Sequence, residues 1–315
     1  MQKRKLGNTD LHVAPITFGC NVFGWTANEK TSFDLLDAFT AAQFNFLDTA
    51  DVYAKWATGI GGESETIIGK WTKQRKNRSK VIIATKAGMV DAVGGINITK
   101  AYIIKAAEAS LKRLQTDYID LYQTHKDDES VPVEETLEAH QQLIKEGKVR
   151  WIGASNFSAK RLQAALDASK KHNLPRYETL QPLYNLYDRE GFEKELEPLC
   201  LANNISVINF YSLAAGFLTG KYRTQADLSK SARGARVAST YLNPKGLSIL
   251  KALDEVAAQY KTTTGSIAVA WLLARPSVTA PIASATSLVQ LQELIKSVDL
   301  KLSPDTIAML NKASS

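Results

Sequence analysis

The chain has 315 residues, 44% of them hydrophobic, which is enough to bury a sizeable core in one large domain or two ordinary ones. Its net charge of +7 indicates either a mildly basic surface or attraction to an anionic partner such as a phosphorylated cofactor, and without a block of Lys/Arg and aromatics nucleic-acid binding is not expected. No apolar stretch approaches the roughly 18 residues that span a membrane, no secretory signal is recognisable, and two dispersed cysteines form no disulfide framework, so a cytoplasmic protein without membrane contact is expected.

The first elements predicted along the chain are a β-hairpin and a series of strands. Residues 4–6 and 11–13, joined by a turn, predict the hairpin, and a β-run follows at 16–20. Further short apolar runs cover residues 44–48, 81–86, 118–125, 149–153, 177–181, 205–210 and 278–282. Helix-patterned segments separate them at 30–42, 63–72, 99–114, 133–146, 159–171, 192–203, 246–260, 266–274 and 288–298, and a last short helix opens at 303–305. This alternation predicts βαβ units and a parallel sheet.

Local signals mark some of the boundaries between these elements. Gly147 suits the C-terminal end of the helix before it, and Ser158 suits the N-cap of the helix after it. The stretch 224–244 has no regular pattern, so we interpret it as a lid or binding loop. The basic residues in or next to that stretch are Arg223, Arg233 and Arg236.

Most of the apolar runs end on a polar residue that can take part in a reaction. Lys86 is the clearest case, because a lysine that closes an apolar strand is costly to bury unless it has a partner and a task. Asp48, His125 and Gln181 lie at the ends of three other runs. Such a series is typical of a parallel barrel that gathers its chemistry on one rim. No Pro/Gly/Ser-rich linker divides the chain, so one domain over 1–315 is predicted.

An open doubly wound sheet is the competing architecture. It normally carries a glycine-rich fingerprint directly after its first strand. The glycines in segment 59–64 lack the third member of that fingerprint and follow a loop, and segment 216–221 lacks the spacing of a phosphate-binding P-loop. The pattern therefore favours the barrel.

Four residues at the predicted rim form a combination that can transfer a proton. Asp48, Tyr53, Lys86 and His125 follow consecutive predicted strands, and neighbouring strands lie about 4.8 Å apart, so their side chains can meet. An ammonium favours phenolate, so Lys86 is expected to lower the pKa of Tyr53 while Asp48 holds Lys86 charged. His125 can donate a hydrogen bond to a substrate carbonyl oxygen, with Tyr53 as the general acid.

At these residues and beyond them the sequence resembles the aldo-keto reductase superfamily, especially its bacterial-type members. The matching segments are Asp48-Thr49-Ala50-Asp51-Val52-Tyr53, Ala84-Thr85-Lys86, and residues 19–25, 111–125, 152–157, 181–186 and 211–223. They cover nearly the whole chain. The resemblance implies an α/β fold, a (β/α)8 TIM barrel that here follows the predicted N-terminal β-hairpin, and a catalytic tetrad. The tetrad residues would be Asp48, Tyr53, Lys86 and His125.

The resemblance also implies an extended nicotinamide cofactor across the rim. Ser155, Asn156 and Gln181 would bind its carboxamide, because they offer the mixed donors and acceptors that an amide needs. Tyr211 would stack on the nicotinamide ring. Small residues along the pyrophosphate would allow a close backbone approach, and Lys221 would neutralise charge. The residues implied in this part of the site are Ser212, Leu213, Gly216, Leu218, Lys221 and Arg223.

The adenosine end departs from the family pattern. Family members often have an Arg or Lys that grips a 2′-phosphate and then a Gln beside the adenine. Here Gln290 fits, but Thr286 takes the basic position. Ser284 and Thr286 can still donate neutral hydrogen bonds to a phosphate, which are roughly half as strong as charge-assisted ones. NADP(H) is therefore the expected cofactor, with NAD(H) as the alternative.

The substrate pocket is expected to be open and partly aromatic. Trp25, Trp56 and Tyr184 are candidates for its walls, because aromatics on rim loops are well placed for ligands. The chain ends at Ser315, soon after its last helix, without the tail that closes the pocket in longer relatives. Four histidines and two cysteines are too dispersed to suggest a metal site.

These features predict an NAD(P)H-dependent oxidoreductase that reduces aldehydes or ketones to alcohols, with hydride from the nicotinamide and the proton from Tyr53. Its partner would be a small-molecule carbonyl substrate, and the oligomeric state is left open. The alternative is a regulatory subunit that binds the cofactor and acts as a redox sensor on another protein, by analogy with channel-associated members of the superfamily. A lyase or isomerase would need a metal or phosphate site that the sequence does not offer.

Overall fold

The computed structural model describes residues 1–90, 95–230 and 234–315, apart from the side chains of residues 235 and 236. Two strands, β1 (Arg4–Lys5) and β2 (His12–Val13), form the antiparallel hairpin that the sequence predicts. Within the described residues a sheet of eight parallel strands follows: β3 (Thr17–Gly19), β4 (Phe46–Asp48), β5 (Ile82–Ala87), β6 (Ile119–Thr124), β7 (Val149–Ser155), β8 (Thr179–Gln181), β9 (Ser206–Val207) and β10 (Ile282–Ala283).

Hydrogen bonds close this sheet into a barrel. The strand order is β10-β3-β4-β5-β6-β7-β8-β9, so strands that follow each other in sequence are neighbours in the sheet. At the remaining gap the amide of Thr279 donates to the carbonyl of Val207 over 2.8 Å, and the amide of Ile282 donates to the carbonyl of Asn209 over 2.9 Å. These bonds join β9 to the segment that enters β10. The predicted (β/α)8 barrel with an N-terminal hairpin is therefore confirmed.

The helices alternate with the strands as the periodicity predicts. They are α1 (Glu29–Ala41), α2 (Lys55–Thr58), α3 (Glu63–Arg75), α4 (Lys100–Leu114), α5 (Val133–Lys145), α6 (Ala159–His172), α7 (Glu190–Glu193), α8 (Leu196–Ala202), α9 (Gly234–Tyr241), α10 (Pro244–Tyr260), α11 (Thr264–Leu273), α12 (Leu288–Lys296) and α13 (Pro304–Ala313). At the two predicted boundaries, Ser158 Oγ accepts from the amide of Arg161 over 3.3 Å, and Gly147 adopts a φ of 72° just beyond α5. None of the described helices combines the length and the apolar character needed to cross a membrane.

One predicted helix is divided in the structure. The helix expected over 192–203 appears as α7 and α8. Pro198 in the first turn of α8 has no amide hydrogen to donate to the carbonyl of Lys194, and its ring would clash there. A continuous helix through this segment is therefore excluded.

The stretch 224–244 differs from the irregular loop that the sequence suggested. It contains α9, in which Val237 is fully buried and Tyr241 is nearly so. The two buried side chains pack α9 against the rest of the protein, so this part of the segment is a helix and not an irregular loop. Of its predicted basic residues, Arg233 and the side chain of Arg236 lie outside the described residues.

The barrel interior is built in layers. Phe46, Ala84 and Leu121 are fully buried and pack together, with Leu6 and Leu11 of the hairpin segment closing the bottom. Because side chains alternate in direction along a strand, the residue two positions further along each of these strands also points inward. Those residues are Asp48, Lys86 and Gln123. An apolar layer thus supports a polar layer at the rim.

Candidate active site

The polar layer is centred on a buried ion pair between Asp48 and Lys86. The ammonium of Lys86 lies 2.8 Å from each carboxylate oxygen of Asp48 and donates to the carbonyl of Thr49, also over 2.8 Å. Burial lowers the pKa of Lys86, and the charge of Asp48 opposes this shift. The three contacts match the three donors of an ammonium, so Lys86 is fixed in position.

Tyr53 stands over this pair, beyond the end of β4. Its hydroxyl lies 3.4 Å from Asp48 Oδ2, and the ammonium of Lys86 lies 4.8 Å from the centre of its ring. The pKa of Tyr53 is raised, first by burial and then by the negative charge of Asp48. This corrects the expectation that Lys86 would lower it. The charge of the ammonium is already compensated by Asp48, and the phenol has lost hydration.

His125 faces Tyr53 from the end of β6. The two ring centres are 6.1 Å apart, with an angle of 78° between the planes. Burial, assisted by the positive charge of Lys86, lowers the pKa of His125 well below its usual value, so the imidazole is neutral at neutral pH. A neutral imidazole can donate one hydrogen bond to an oxygen. All four residues of the predicted tetrad therefore meet at one place, with Asp48 at its base.

Two glutamines complete the hydrogen bonding of Asp48. Gln181 Nε2 donates to Asp48 Oδ1 over 2.9 Å and lies 3.3 Å from Gln123 Oε1. Gln123 Nε2 is itself 3.4 Å from Asp48 Oδ1. Sequence reasoning missed Gln123. The available signal was its spacing, because Gln123 follows Leu121 by the same two-residue step that leads from Phe46 to Asp48.

Ser155 and Asn156, for which the resemblance implies a carboxamide ligand, lie beside Gln181. Ser155 Oγ donates to the carbonyl of Gln181 over 2.9 Å. Asn156 Nδ2 donates to the carbonyl of His125 over 2.9 Å and to Ser155 Oγ over 3.1 Å. These hydrogen bonds link the ends of β6, β7 and β8 to one another. The three polar side chains therefore form one group next to the tetrad.

The segment that begins at Tyr211 has an unusual backbone. Tyr211, Ala214 and Ala215 have φ values of 56°, 48° and 55°, and that of Gly216 is 95°. Left-handed residues of this kind cost free energy and cluster at ligand sites. Asn185 supports the first of them, because its Nδ2 donates to the carbonyl of Tyr211 over 3.0 Å. Asn185 is a second residue that sequence reasoning missed, although it lies in the matching segment 181–186.

Gly216 and Lys221 form a cradle suited to a phosphate. Gly216 has a φ of 95°, a conformation that favours glycine, and a Cβ there would lie 3.1 Å from both Cε and Nζ of Lys221 and crowd the end of that side chain. The carbonyl of Leu213 accepts from the amides of Gly216 and Leu218 over 2.8 and 3.2 Å, which folds the segment into a tight turn. A tight turn that contains a glycine and lies beside an ammonium fits the diphosphate of a dinucleotide.

Ser212 and Arg223, also implied as cofactor residues, are held by the protein itself. Ser212 Oγ accepts from Asn209 Nδ2 over 3.1 Å. The guanidinium of Arg223 forms a two-pronged ion pair with Asp254, with N–O distances of 2.6 and 2.7 Å. This ion pair links Arg223 to α10, which carries Asp254. A contact between Arg223 and a cofactor remains a prediction.

At the predicted adenosine end, Thr286 and Gln290 are hydrogen-bonded to each other. Gln290 Oε1 accepts from the amide of Thr286 over 2.8 Å and from its hydroxyl over 3.1 Å. Ser284 Oγ donates to Asn21 Oδ1 over 2.7 Å. The segment beyond β10 therefore presents a row of neutral polar groups.

Aromatic rings flank the tetrad on one side. The ring centre of Trp56 lies 6.0 Å from that of Tyr53, and the ring centre of Trp25 lies 5.6 Å from that of Trp56, both edge to face. Trp56 remains 42% exposed. The two tryptophans expected in the pocket wall are therefore next to each other, and Trp56 is next to Tyr53.

Tyr184, the third residue expected in the pocket wall, lies elsewhere. It is fully buried, and its ring centre is 4.6 Å from that of Phe192 and 5.6 Å from that of Trp271. Its hydroxyl donates to Glu193 Oε1 over 2.6 Å. A buried tyrosine with a partner for its hydroxyl is a core residue, so the expectation of a pocket wall is wrong for Tyr184.

A second group of ionisable side chains contacts β5 next to the tetrad. Glu65 on α3 is fully buried and accepts from Thr85 Oγ1 over 2.5 Å and from Arg113 Nε over 2.6 Å. The amide of Asp51 donates to the carbonyl of Lys86 over 3.0 Å, and Asp51 Oδ1 is buried without a hydrogen-bond partner. Burial, reinforced by the charge of Glu65, raises the pKa of Asp51 to about 8.

The chain matches known proteins over nearly its whole length. Residues 15–315 match the model of the Aldo/keto reductase family. The chain is 34% identical to the uncharacterized oxidoreductase YrpG of Bacillus subtilis, over 99% of this chain and 95% of that protein. It is 33% identical to the aldo-keto reductase YhdN of the same organism, over 88% and 82% of the two chains. It is also 32% identical to a probable voltage-gated potassium channel subunit beta of Arabidopsis thaliana, over 95% and 92%.

Proposed function

Because the chain belongs to the aldo/keto reductase family and is an oxidoreductase, we propose that it reduces aldehydes or ketones to alcohols with a nicotinamide cofactor. The observation that carries this proposal is the buried Lys86–Asp48 pair, with contacts of 2.8 Å, directly beneath the Tyr53 hydroxyl. Burying two charges costs free energy. A role in proton transfer explains why this ion pair is buried at the end of a strand on the rim although its burial is unfavourable.

Each rim residue then has one task. A nicotinamide held by Ser155, Asn156 and Gln181 would supply the hydride that reduces the carbonyl carbon. Tyr53 delivers the proton of its hydroxyl to the carbonyl oxygen, while neutral His125 donates a hydrogen bond to the same oxygen and orients it. Lys86, held by Asp48, lies 4.8 Å from the centre of the Tyr53 ring and would face the phenolate that forms when Tyr53 gives up its proton.

We propose NADP(H) as the cofactor, with NAD(H) as the alternative. Ser155, Asn156 and Gln181 would hold the carboxamide, and Lys221 would lie beside the diphosphate. The hydroxyl of Thr286 would meet the extra phosphate of NADP(H), and the net charge of +7 favours the more anionic cofactor. Paired fluorescence titrations with NADPH and NADH test this assignment. Tighter binding of NADPH supports it, and equal or tighter binding of NADH assigns NAD(H).

The variant Tyr53→Phe tests the catalytic assignment. It removes the proton donor but keeps the ring, so turnover should fall at least roughly 100-fold, the usual scale of a general acid. The affinity for NADPH should stay unchanged. Steady-state oxidation of NADPH with an aldehyde measures the first quantity, and fluorescence titration measures the second.

The matched control is Tyr118→Phe, because Tyr118 lies at the opposite end of β6, where its ring packs under Arg78 at 4.0 Å. This control should keep the turnover of the native protein. Equal turnover in the Tyr53 variant and the native protein would refute the role of Tyr53.

A redox-sensing subunit is the second candidate. The similarity to a protein named as a potassium channel beta subunit, at 32% identity, is the observation that favours it. Such a subunit would bind the cofactor and pass its redox state to another protein. Tight NADPH binding together with complete inactivity across a broad panel of aldehydes and ketones would favour this candidate over the reductase.

We further propose that the chain forms one domain over 1–315 and works in the cytoplasm on small-molecule carbonyl compounds. Cys20 and Cys200 are both free and buried. This arrangement is consistent with a reducing compartment.

A further inference from the structure

Three carboxyl groups and two cations meet where α3 and α4 pack beside the end of β5. They belong to Asp48, Asp51, Glu65, Lys86 and Arg113. Lys86 lies 2.8 Å from a carboxylate oxygen of Asp48, and Arg113 Nε lies 2.6 Å from Glu65. Both cations are thus used in ion pairs, and Asp51 is the carboxyl group that is left over. Its Oδ1 is buried without a hydrogen-bond partner among the described residues.

A carboxyl group in this position is more stable with its proton than without it. Burial disfavours a carboxylate, and the neighbouring charge of Glu65 adds to this effect. Arg113, the amide of Val52 and Lys86 favour the carboxylate, but burial is the largest influence, and the pKa of Asp51 is about 8. The charged or titratable groups that face Asp51 are Glu65 on α3, Tyr102 and Arg113 on α4, Lys86 on β5 and Tyr122 on β6.

Asp51 is connected to the tetrad through the backbone. Its amide donates to the carbonyl of Lys86 over 3.0 Å, and Tyr53 follows it two positions along the chain. A negative charge on Asp51 would favour the ammonium of Lys86. The same charge would oppose a phenolate at Tyr53, because it offsets the positive potential of that ammonium. The protonation of Asp51 is therefore coupled to the chemistry at the rim.

We infer that Asp51 is a positioning residue of the proposed reaction, which acts through Lys86 by holding a proton and so keeps the negative charges beside β5 equal in number to the positive ones. The inference rests on the proposed function and adds a residue to it. When Asp51 loses its proton, a third negative charge lies next to the tetrad. Tyr53 then becomes a weaker acid, and reduction slows.

The pH dependence of turnover distinguishes this role from those of Tyr53 and His125. The pKa of Tyr53 is raised well above its usual value and that of His125 is lowered well below its own, so neither titrates near pH 8. Between pH 7 and pH 9, kcat of the native protein with NADPH and an aldehyde should therefore fall roughly fivefold. Asp51→Asn keeps the shape of the side chain but cannot ionise, so its kcat should change less than about twofold over the same range.

Two further variants separate the proton on Asp51 from a merely structural role. Glu65→Gln removes one negative charge and leaves Arg113 without its carboxylate, so the ionised form of Asp51 becomes more favourable. The fall in kcat should then move to lower pH by about one unit, whereas a structural defect would lower kcat by the same factor at every pH. The control is Asp117→Asn, a change at an exposed aspartate, which should keep the pH profile of the native protein.

Infrared difference spectroscopy follows the same proton without turnover. The native protein should show the C=O band of a protonated carboxyl group at pH 6, this band should disappear as the pH rises through about 8, and it should be missing in Asp51→Asn. No such band, or the same pH profile of kcat in the native protein and in Asp51→Asn, would overturn the inference while the reductase stands.

Failure of the proposed function gives a different result. If no carbonyl compound is reduced, the reductase is refuted. A band that disappears at lower pH in Glu65→Gln than in the native protein would still support Asp51 as the holder of the proton. A band that does not respond to Glu65→Gln would refute that assignment as well.

Discussion

At the scale of single residues, Asp51 carries a prediction about pH. Its pKa is raised to about 8 by burial and by the charge of Glu65, from about 3.9 in an unfolded chain. A carboxyl with a raised pKa in the folded state contributes its full stability below the unfolded value, and that stability is lost as pH rises toward 8. Asp51→Asn cannot ionise. Between pH 5 and pH 8 its free energy of unfolding should therefore rise relative to the native protein by at least about 1 kcal/mol.

Urea unfolding at several pH values between 5 and 8 measures this difference. Asp117→Asn is the matched control, because Asp117 is an exposed aspartate. Its free energy of unfolding should differ from that of the native protein by no more than about 0.5 kcal/mol at every pH. A pH dependence that is the same in both variants would show that Asp51 ionises normally in the folded protein.

At the scale of secondary-structure elements, Gly147 at the end of α5 allows the free-energy cost of a left-handed backbone conformation to be measured by itself. Gly147 has a φ of 72°, and a Cβ built on it meets nothing within 4 Å. Gly147→Ala therefore adds backbone strain without a steric clash. It should lower the free energy of unfolding by about 1–2 kcal/mol, measured from urea midpoints.

Gly191 on α7 provides the control for this prediction. A Cβ there also meets nothing within 4 Å, but its φ lies outside the left-handed region. Gly191→Ala should leave stability unchanged or raise it by a few tenths of a kcal/mol, because alanine loses less entropy on folding. Similar losses at both glycines would rule out backbone conformation as the cause.

At the scale of the whole molecule, a charge network ties the hairpin to the barrel. Asp120 on β6 is buried and accepts from Arg78 over 2.7 Å and from Arg150 over 2.8 Å. Arg150 also pairs with Asp10 in the hairpin turn over 2.7 Å. Asp120→Ala leaves two cations without their shared partner. It should lower the free energy of unfolding by roughly 1–3 kcal/mol in urea titrations, because the two arginines are partly exposed and keep other acceptors.

The pair of Lys30 and Asp34 on α1 shows what an exposed bridge contributes. Its contact distance of 2.8 Å is equally short, but 85% and 49% of the two side chains are exposed. Asp34→Ala should cost less than about 1 kcal/mol. A cost at Asp120 no larger than that at Asp34 would show that the network does not join the hairpin to the barrel.

The barrel and the four tetrad residues at its rim could be predicted from the amino-acid sequence. Helical and strand periodicities are local, so α1, α4 and α10 could be located from spacing alone. Polar residues that close apolar strands are also visible in the sequence. Parallel strands place all their carboxyl ends on one rim, so Asp48 and Lys86 could be expected to meet.

Properties that depend on which side chains meet across different elements could not be predicted from the sequence. The raised pKa of Tyr53 results from burial and from Asp48, since the charge of Lys86 is already used in the ion pair. Gln123 joins the site through bonds to residues of β4 and β8. Tyr184 turns into the core because Phe192 and Trp271 pack around it. Burial and long-range pairing set these outcomes, and neither has a signature in the spacing of residues along the chain.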